Sequence, residues 1–359
     1  SSTYMADLLG SDANWMLPDG SWAYSYGKTQ NVNPDLHWET KSEWDFGLDF
    51  SFFDDRLYGK FDWYTDKISD MLYSIKVPQP PYTQDNQMQN VGSMSARGWE
   101  FELGGAIIKN HDFTWSSHIL ASHFSQKIDN LYGADTYFNG GGFPSPGDPG
   151  YAHRIANGTK FGTFYMWKFA GFDDNGDWLL YNKDGKVIPA AQKTEEDRQY
   201  MGNYIPKVIL SWNHTLTYKN WDLGINLRSW LDFDVYNTLP MYFGIQGKGN
   251  TNLLKTAYTK YANIKGEKQL CDYYLEDGSF LKIDAITLGY TLPIKKYTKW
   301  VDNIRIYGTV GNVCCLTGYS GMNPEVNITG WDGGIERFWD SNYFYPVVRT
   351  WTLGLKLNF

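Results

Sequence analysis

The sequence contains no uninterrupted apolar run of about 18 residues, which excludes a helical membrane span. It has no basic block, and 32 Lys and Arg stand against 40 Asp and Glu for a formal charge of −8, which argues against a nucleic-acid partner. Cysteine is sparse: Cys271, Cys314 and Cys315 form no disulfide framework and no Cys-x-x-Cys spacing. The six histidines show neither His-x-x-x-His nor His-Glu-x-x-His, so catalytic zinc has no ligand set. Gly-x-Ser-x-Gly is absent, and no Gly-Lys-Ser/Thr follows Gly140-Gly141-Gly142, so acyl and phosphoryl transfer lack a motif. The expectation is therefore no catalytic residue, no metal and no cofactor. The opening Ser1-Ser2-Thr3-Tyr4 has no basic and apolar leader, so an exported protein would be represented here as a mature chain or a fragment.

Aromatic side chains, by contrast, are abundant, at 18% with 16 Trp and 27 Tyr. Such rings collect at membrane interfaces and on sugar-binding surfaces, and composition alone leaves both open. The arrangement is more telling. From Val347 to Phe359, Trp351, Leu353, Leu355, Leu357 and Phe359 share one face of a strand, and Thr352, Gly354, Lys356 and Asn358 share the other. Mean hydropathy is only −0.48, as befits strands that are half polar. Upstream, Trp44, Phe46, Leu48, Phe50 and Phe52 alternate with Asp45, Gly47, Asp49 and Ser51. After the turn at Asp54-Asp55-Arg56, Leu57, Phe61 and Trp63 alternate with Tyr58, Lys60, Asp62 and Tyr64. Lys or Arg on a lipid face costs roughly 2–4 kcal/mol at mid-membrane, and every charge of this hairpin falls on the opposite face.

A second hairpin sets Trp99, Phe101, Leu103 and Ile107 against Phe113, Trp115 and Ile119, turning at Lys109-Asn110-His111-Asp112. His123 falls on its apolar face, which suits only a membrane interface or a strand end. A third pairs Leu210, Trp212, Leu216 and Tyr218 with Trp221, Leu223, Ile225 and Leu227. A fourth runs through Ile286, Leu288, Tyr290 and Leu292, then a basic turn, then Ile304 to Leu316. The closing strand makes nine. Residues 1–40 read as loop with a short strand at Ser21 to Tyr26, and residues 69–95 as an irregular loop. Residues 125–206 read as an insertion with a small hairpin near Phe161 to Tyr181, and residues 234–277 as another long loop. Short turns at one end and long loops at the other fit a transmembrane antiparallel β-barrel with its long loops outside the cell. An odd strand count suggests part of a larger barrel, since bacterial single-chain barrels usually have even numbers.

Several blocks resemble the SusC/RagA family of TonB-dependent outer-membrane transporters: residues 33–64 (NPDLHWETKSEWDFGLDFSFFDDRLYGKFDWY), 92–103 (GSMSARGWEFEL), 276–293 (EDGSFLKIDAITLGYTLP), 316–326 (LTGYSGMNPEV) and 349–359 (RTWTLGLKLNF). The long loops between them match poorly. The resemblance implies that residues 1–359 are the C-terminal portion of a plugged barrel of about 22 strands. It implies an importer of oligosaccharides or oligopeptides in the outer membrane of a Bacteroidetes-type Gram-negative cell. Its partners would be a SusD-like surface lipoprotein acting as a lid, TonB through a segment outside this sequence, and outer-membrane lipid. The terminal aromatic row, Trp351, Leu353, Leu355, Leu357 and Phe359, would be a barrel-assembly signal.

Candidate sites are few. Asp173-Asp174-Asn175-Gly176-Asp177 opens like a calcium loop, but Asp184 stands where a closing Glu belongs, and Asn-Gly favours a tight hairpin turn. Trp331, Trp339 and Tyr343 are loop aromatics that could stack on substrate, against the plainer alternative of packing between loops. A disulfide from Cys271 to one of Cys314 and Cys315 could close the base of the last long loops, the two adjacent residues facing opposite ways. An inward polar set (Asp45, Asp49, Lys60, Asp62, Glu100, Glu102, Asp222, Arg228 and Lys356) would line a wall facing plug and cavity. The rival readings are a soluble glycan-binding β-protein and a passive porin or adhesin.

Overall fold

A computed structural model of the chain describes residues 9–131, 137–142, 150–246, 252–295, 300–326, 339–340 and 346–359. Nine antiparallel strands make one continuous wall in chain order: Thr40–Phe52, Leu57–Ser69, Ser93–Lys109, Phe113–Asn130, Val208–Tyr218, Trp221–Leu231, Phe280–Pro293, Asn303–Thr317 and Thr350–Asn358. All nine strands expected from the alternation are present, in the expected hairpins. Among the described residues the sheet is open, with Thr40–Phe52 and Thr350–Asn358 each paired on one side only.

Cross-strand register carries the sequence alternation around the wall. Leu48, Phe61 and Phe101 stand side by side on one face, and Asp49, Lys60 and Glu102 on the next rung of the other. The apolar face is bare: Trp44 is 78% and Leu353 84% exposed, values that water would not tolerate over so many neighbours. Lipid is the solvent that makes this face favourable. On the turn side, Phe53, Asp54 and Asp55 take positive φ in the first hairpin, and Lys219 does so in the third.

Toward the loop side the strands outrun the membrane. A tilted strand crosses the hydrocarbon with about 9–11 residues. The third and fourth wall strands have 17 and 18. Their upper ends support a lobe in which the regions read as loops fold together. Tyr137–Gly142, Tyr151–Ala156, Phe164–Phe172, Trp178–Tyr181, Val187–Pro189 and Arg198–Met201 form a second sheet. Its apolar side buries Phe164, Met166, Trp178 and Leu180 against Tyr236, Met241, Leu270 and Tyr274 from the 234–277 region.

Three expectations need correction. Residues 69–95 contain a paired hairpin, Leu72–Lys76 with Asn86–Asn90, rather than irregular loop. The strand expected at Ser21 to Tyr26 is Trp22–Lys28, and it pairs with Leu9–Met16 in a region read as loop. The 234–277 region carries a helix, Thr238–Phe243, and two short strands within the lobe core. The two hairpins pair neighbouring segments whose polarity concealed them, and the 234–277 region takes its order from packing against distant residues of the lobe. The hairpin expected near Phe161 to Tyr181 is present as Phe164–Phe172 with Trp178–Tyr181.

Candidate functional site

The inner face of the wall is polar because every second residue of each strand points there and lipid excludes charge from the other side. Register places the whole inward set on this face, from Asp45 and Asp49 at one edge to Lys356, opposite Arg305, near the other. Several of its charges are paired. Lys60 reaches Asp62 at 3.0 Å, and His118 Nε2 lies 2.7 Å from a Glu102 oxygen. Arg305 grips Asp222 with two nitrogens, Nε donating at 2.9 Å. Lys60, Asp62, Glu100, Glu102, Ser122 and Ser211 border a recess of about 390 Å³.

The densest cluster lies higher on the wall. Arg228 donates from Nε and Nη2 to the Asp284 carboxylate, at 2.9 and 3.2 Å, and from Nη1 to Glu325. Lys282 Nζ donates to the other Glu325 oxygen at 3.1 Å and sits 3.6 Å from Asp284. Two cations thus share two carboxylates, and the Lys282 side chain is only 9% exposed, so each charge depends on the others being present. A register shift makes this possible. Between Ile283 and Ala285 the pairing slips, so the bulged Asp284 is an extra residue aimed at Arg228.

Glu325 belongs to a segment that leaves the wall at Thr317 and folds back over it. Ser320 donates through both its amide and its hydroxyl to Glu276, which also accepts from Asn237. Tyr319 and Val326 pack on Phe233, Val235 and Phe280. Residues 319–326 are therefore a strut, held by hydrogen bonds at one end and ion pairs at the other. The blocks at 276–293 and 316–326 that carry the family resemblance are the two sides of this joint. Inward Arg228 was legible from alternation. Lys282, Asp284, Glu276 and Glu325 were not, although the Lys-Ile-Asp spacing of two was a usable signal for a same-face pair.

Asp173 to Asp177 is a hairpin turn. The Asp173 carboxylate accepts from the amides of Asn175 and Asp177, and Gly176 takes φ of 86°. Among the described residues no group of His, Cys, Asp and Glu is arranged to hold a metal. The Cys271 bridge is not formed, and all three cysteines are free thiols. Cys271 lies in the lobe core beside Trp167, whereas Cys314 and Cys315 pair with Ile283 and Lys282 on the wall. The 271–274 segment folds into the lobe instead of spanning the loop base, and burial pushes the Cys271 thiol up to about 12. Trp331 and Tyr343 lie outside the described residues, and Trp339 is described only by its backbone, in a two-residue strand parallel to Asp234–Asn237. His123 stands at the loop-side end of the wall, Nδ1 donating to the Lys207 carbonyl at 2.6 Å, where the interface reading of it belongs. A second outward histidine was overlooked: His214 accepts from Trp115 Nε1 at 3.3 Å, its ring beside Trp212.

Comparison with known proteins places this geometry. TonB-dependent receptor P3 of Formosa agariphila is 27% identical over 372 residues, covering 92% of this chain and 35% of the relative. TonB-dependent receptor SusC of Bacteroides thetaiotaomicron is 29% identical over 369 residues, covering 95% of this chain and 34% of SusC. The chain therefore spans about a third of the length of these curated relatives. Among solved structures, the RagAB peptide transporter superposes with a TM-score of 0.77 at 23% identity, over 99% of this chain and 38% of its own. The RagAB importer in its open-open state gives 0.79 at 22% identity, over 100% of this chain and 38% of its own. Both share this fold. The family described as "TonB dependent receptor-like, beta-barrel", a class of outer-membrane receptors and transporters rather than enzymes, matches residues 10–313, and the chain belongs to it.

Proposed function

We propose that this chain is the C-terminal barrel portion of a SusC-like importer that draws oligosaccharides or oligopeptides across the outer membrane of a Bacteroidetes-type cell. A SusD-like surface lipoprotein would close over the loop-side lobe, and TonB would supply energy through a part of the protein outside this sequence. The observation that carries the reading is the strut. Residues 319–326 tie the lobe, through Glu276 and Asn237, to the inner wall, through Arg228 and Lys282, so one piece links the substrate-facing loops to the lumen. Such a joint has a use where loops and lumen work together, as in an importer, and little in a passive pore. SusC and RagAB, the latter a peptide transporter by name, support the class and leave glycan and peptide as alternatives. The outward row of the ninth strand is proposed as the signal for barrel assembly.

The test is uptake by cells carrying the full-length protein. A labelled oligosaccharide and a labelled oligopeptide are offered with TonB present and absent, and the protein is purified in detergent to find what accompanies it. The expected result is uptake of one of the two, lost without TonB, and a copurifying surface lipoprotein. TonB-independent uptake would establish a passive porin. Extraction without detergent would establish a soluble glycan-binding protein.

A further inference from the structure

The outward face of the wall is largely apolar, and near its loop-side rim cations gather. Ser42, Lys67, Ser95 and Lys127 occupy one rung, and an antiparallel bridge extends it from Lys127 to Lys160. Arg97 stands on the adjacent outward rung, paired with Thr65 and Ser125. Parity puts all four cations on the face that carries Trp63, Trp99 and Phe101 below them. Their height is set by strand length. Lys67 lies ten residues from the turn-side end of its strand at Leu57, and Arg97 twelve from Lys109. About 9–11 residues cross the hydrocarbon, so these groups emerge at the headgroup level of the outer leaflet.

Among the described residues none of Lys67, Arg97, Lys127 and Lys160 has a carboxylate within 4.0 Å. Nearby Lys207 does, pairing with Asp232 at 2.5 Å, and Asp129 accepts from the Ser95 hydroxyl at 3.0 Å without reaching a lysine. Lys127 and Lys160 face each other directly across strands, and like charges so placed repel. In a chain of net charge −8, a cross-strand lysine pair with no carboxylate within 4.0 Å, Asp129 being held by Ser95, has room for an anion from outside. A recess of about 450 Å³ opens beside Lys160, bordered by Arg97, His123, Lys160 and Lys207 and also by Asp232, which pairs with Lys207, and Asp234, which accepts from the Asn203 amide. It is concave, presents Arg97 and Lys160, and adjoins an apolar surface suited to acyl chains.

We propose that this rim is a binding site for the phosphate headgroup of an outer-leaflet lipid, with Lys127, Lys160 and Arg97 neutralising the phosphate and the aromatic row below receiving the chains. The full-length protein in detergent is titrated with a short-chain phosphatidic acid, with diacylglycerol of the same chains, and with inorganic phosphate. The double variant K127Q/K160Q and the control K183Q are titrated alongside. Each basic residue at a charged membrane surface contributes roughly fivefold, so the double variant should bind phosphatidic acid about thirtyfold more weakly. K183Q, which removes a lysine outside the recess that pairs with Glu196, should bind as the parent does. Diacylglycerol binding as tightly as phosphatidic acid would reduce the site to an apolar belt and overturn the proposal. Inorganic phosphate binding equally well would make it a free-anion site and overturn it too, as would an unchanged double variant. If the double variant does not fold, the three ligands compared on the parent protein decide the matter alone.

Discussion

Burial governs the chemistry of individual side chains in the loop-side lobe. His153 lies between the rings of Phe164 and Tyr204, at 4.8 and 5.2 Å, and burial lowers its pKa from 6.5 to about 4. The unfolded chain therefore binds the extra proton first. The lobe keeps the full contribution of neutral His153 above pH 6.5 and loses it progressively as pH falls toward 4, about 3 kcal/mol in all. Asp234 and Asp272, raised by burial, act with the opposite sign and offset part of the loss. Protection factors of the amides of Phe164 to Trp167, taken relative to intrinsic exchange at each pH, should fall as pH drops across that window in the parent, and much less in His153→Phe. Thiol chemistry follows the same rule. In the folded protein a maleimide should leave Cys271 unmodified at neutral pH, while the denatured protein should show three titratable thiols in all; a single thiol would restore the disulfide reading.

At the scale of strands, glycines acquire meaning only through their partners. Tyr64 lies directly across from Gly98, Tyr58 from Gly104 and Tyr307 from Gly354, each ring covering the bare glycine on the inner face. A Cβ on Gly98 would fall 2.4 Å from the Tyr64 hydroxyl and 2.5 Å from the His123 carbonyl, so backbone as well as side chain would have to move. Gly98→Ala should destabilise the barrel by about 1–3 kcal/mol, the range of overpacked sites. Urea unfolding in lipid would register it, and an unchanged midpoint would show that the rings are free to swing away. The strut makes a sharper case. Glu325→Gln leaves Arg228 and Lys282 sharing only Asp284, and a partly exposed network of this kind should lose about 1–2 kcal/mol. Amide protection of residues 319–326 should fall roughly tenfold, with the wall strands unaffected.

For the molecule as a whole, the outward apolar face has to be inserted before any loop can work. Leu353 and Leu355 project from the ninth strand, 84% and 61% exposed. Aspartate at both positions would place charge against lipid in the proposed assembly row. The inserted fraction, read from heat-modifiable mobility, should fall several-fold before uptake per inserted molecule changes. Normal insertion with lost uptake would locate the row's role in transport instead.

Alternation of period two was enough to identify nine strands, their hairpins and the face each side chain takes, because lipid on one side and water on the other impose the same parity on every strand. The family blocks were legible by resemblance instead, and two of them, residues 33–64 and 349–359, include strands that carry that parity openly. Tertiary structure alone decided the rest. The bulge at Asp284, the strut through Glu325, the tyrosines over glycines and the lobe around Trp178 and Tyr274 all join residues far apart in sequence. Nothing in a local window encodes the partner of a loop residue, since its order comes from pairing and burial that only the closed chain creates.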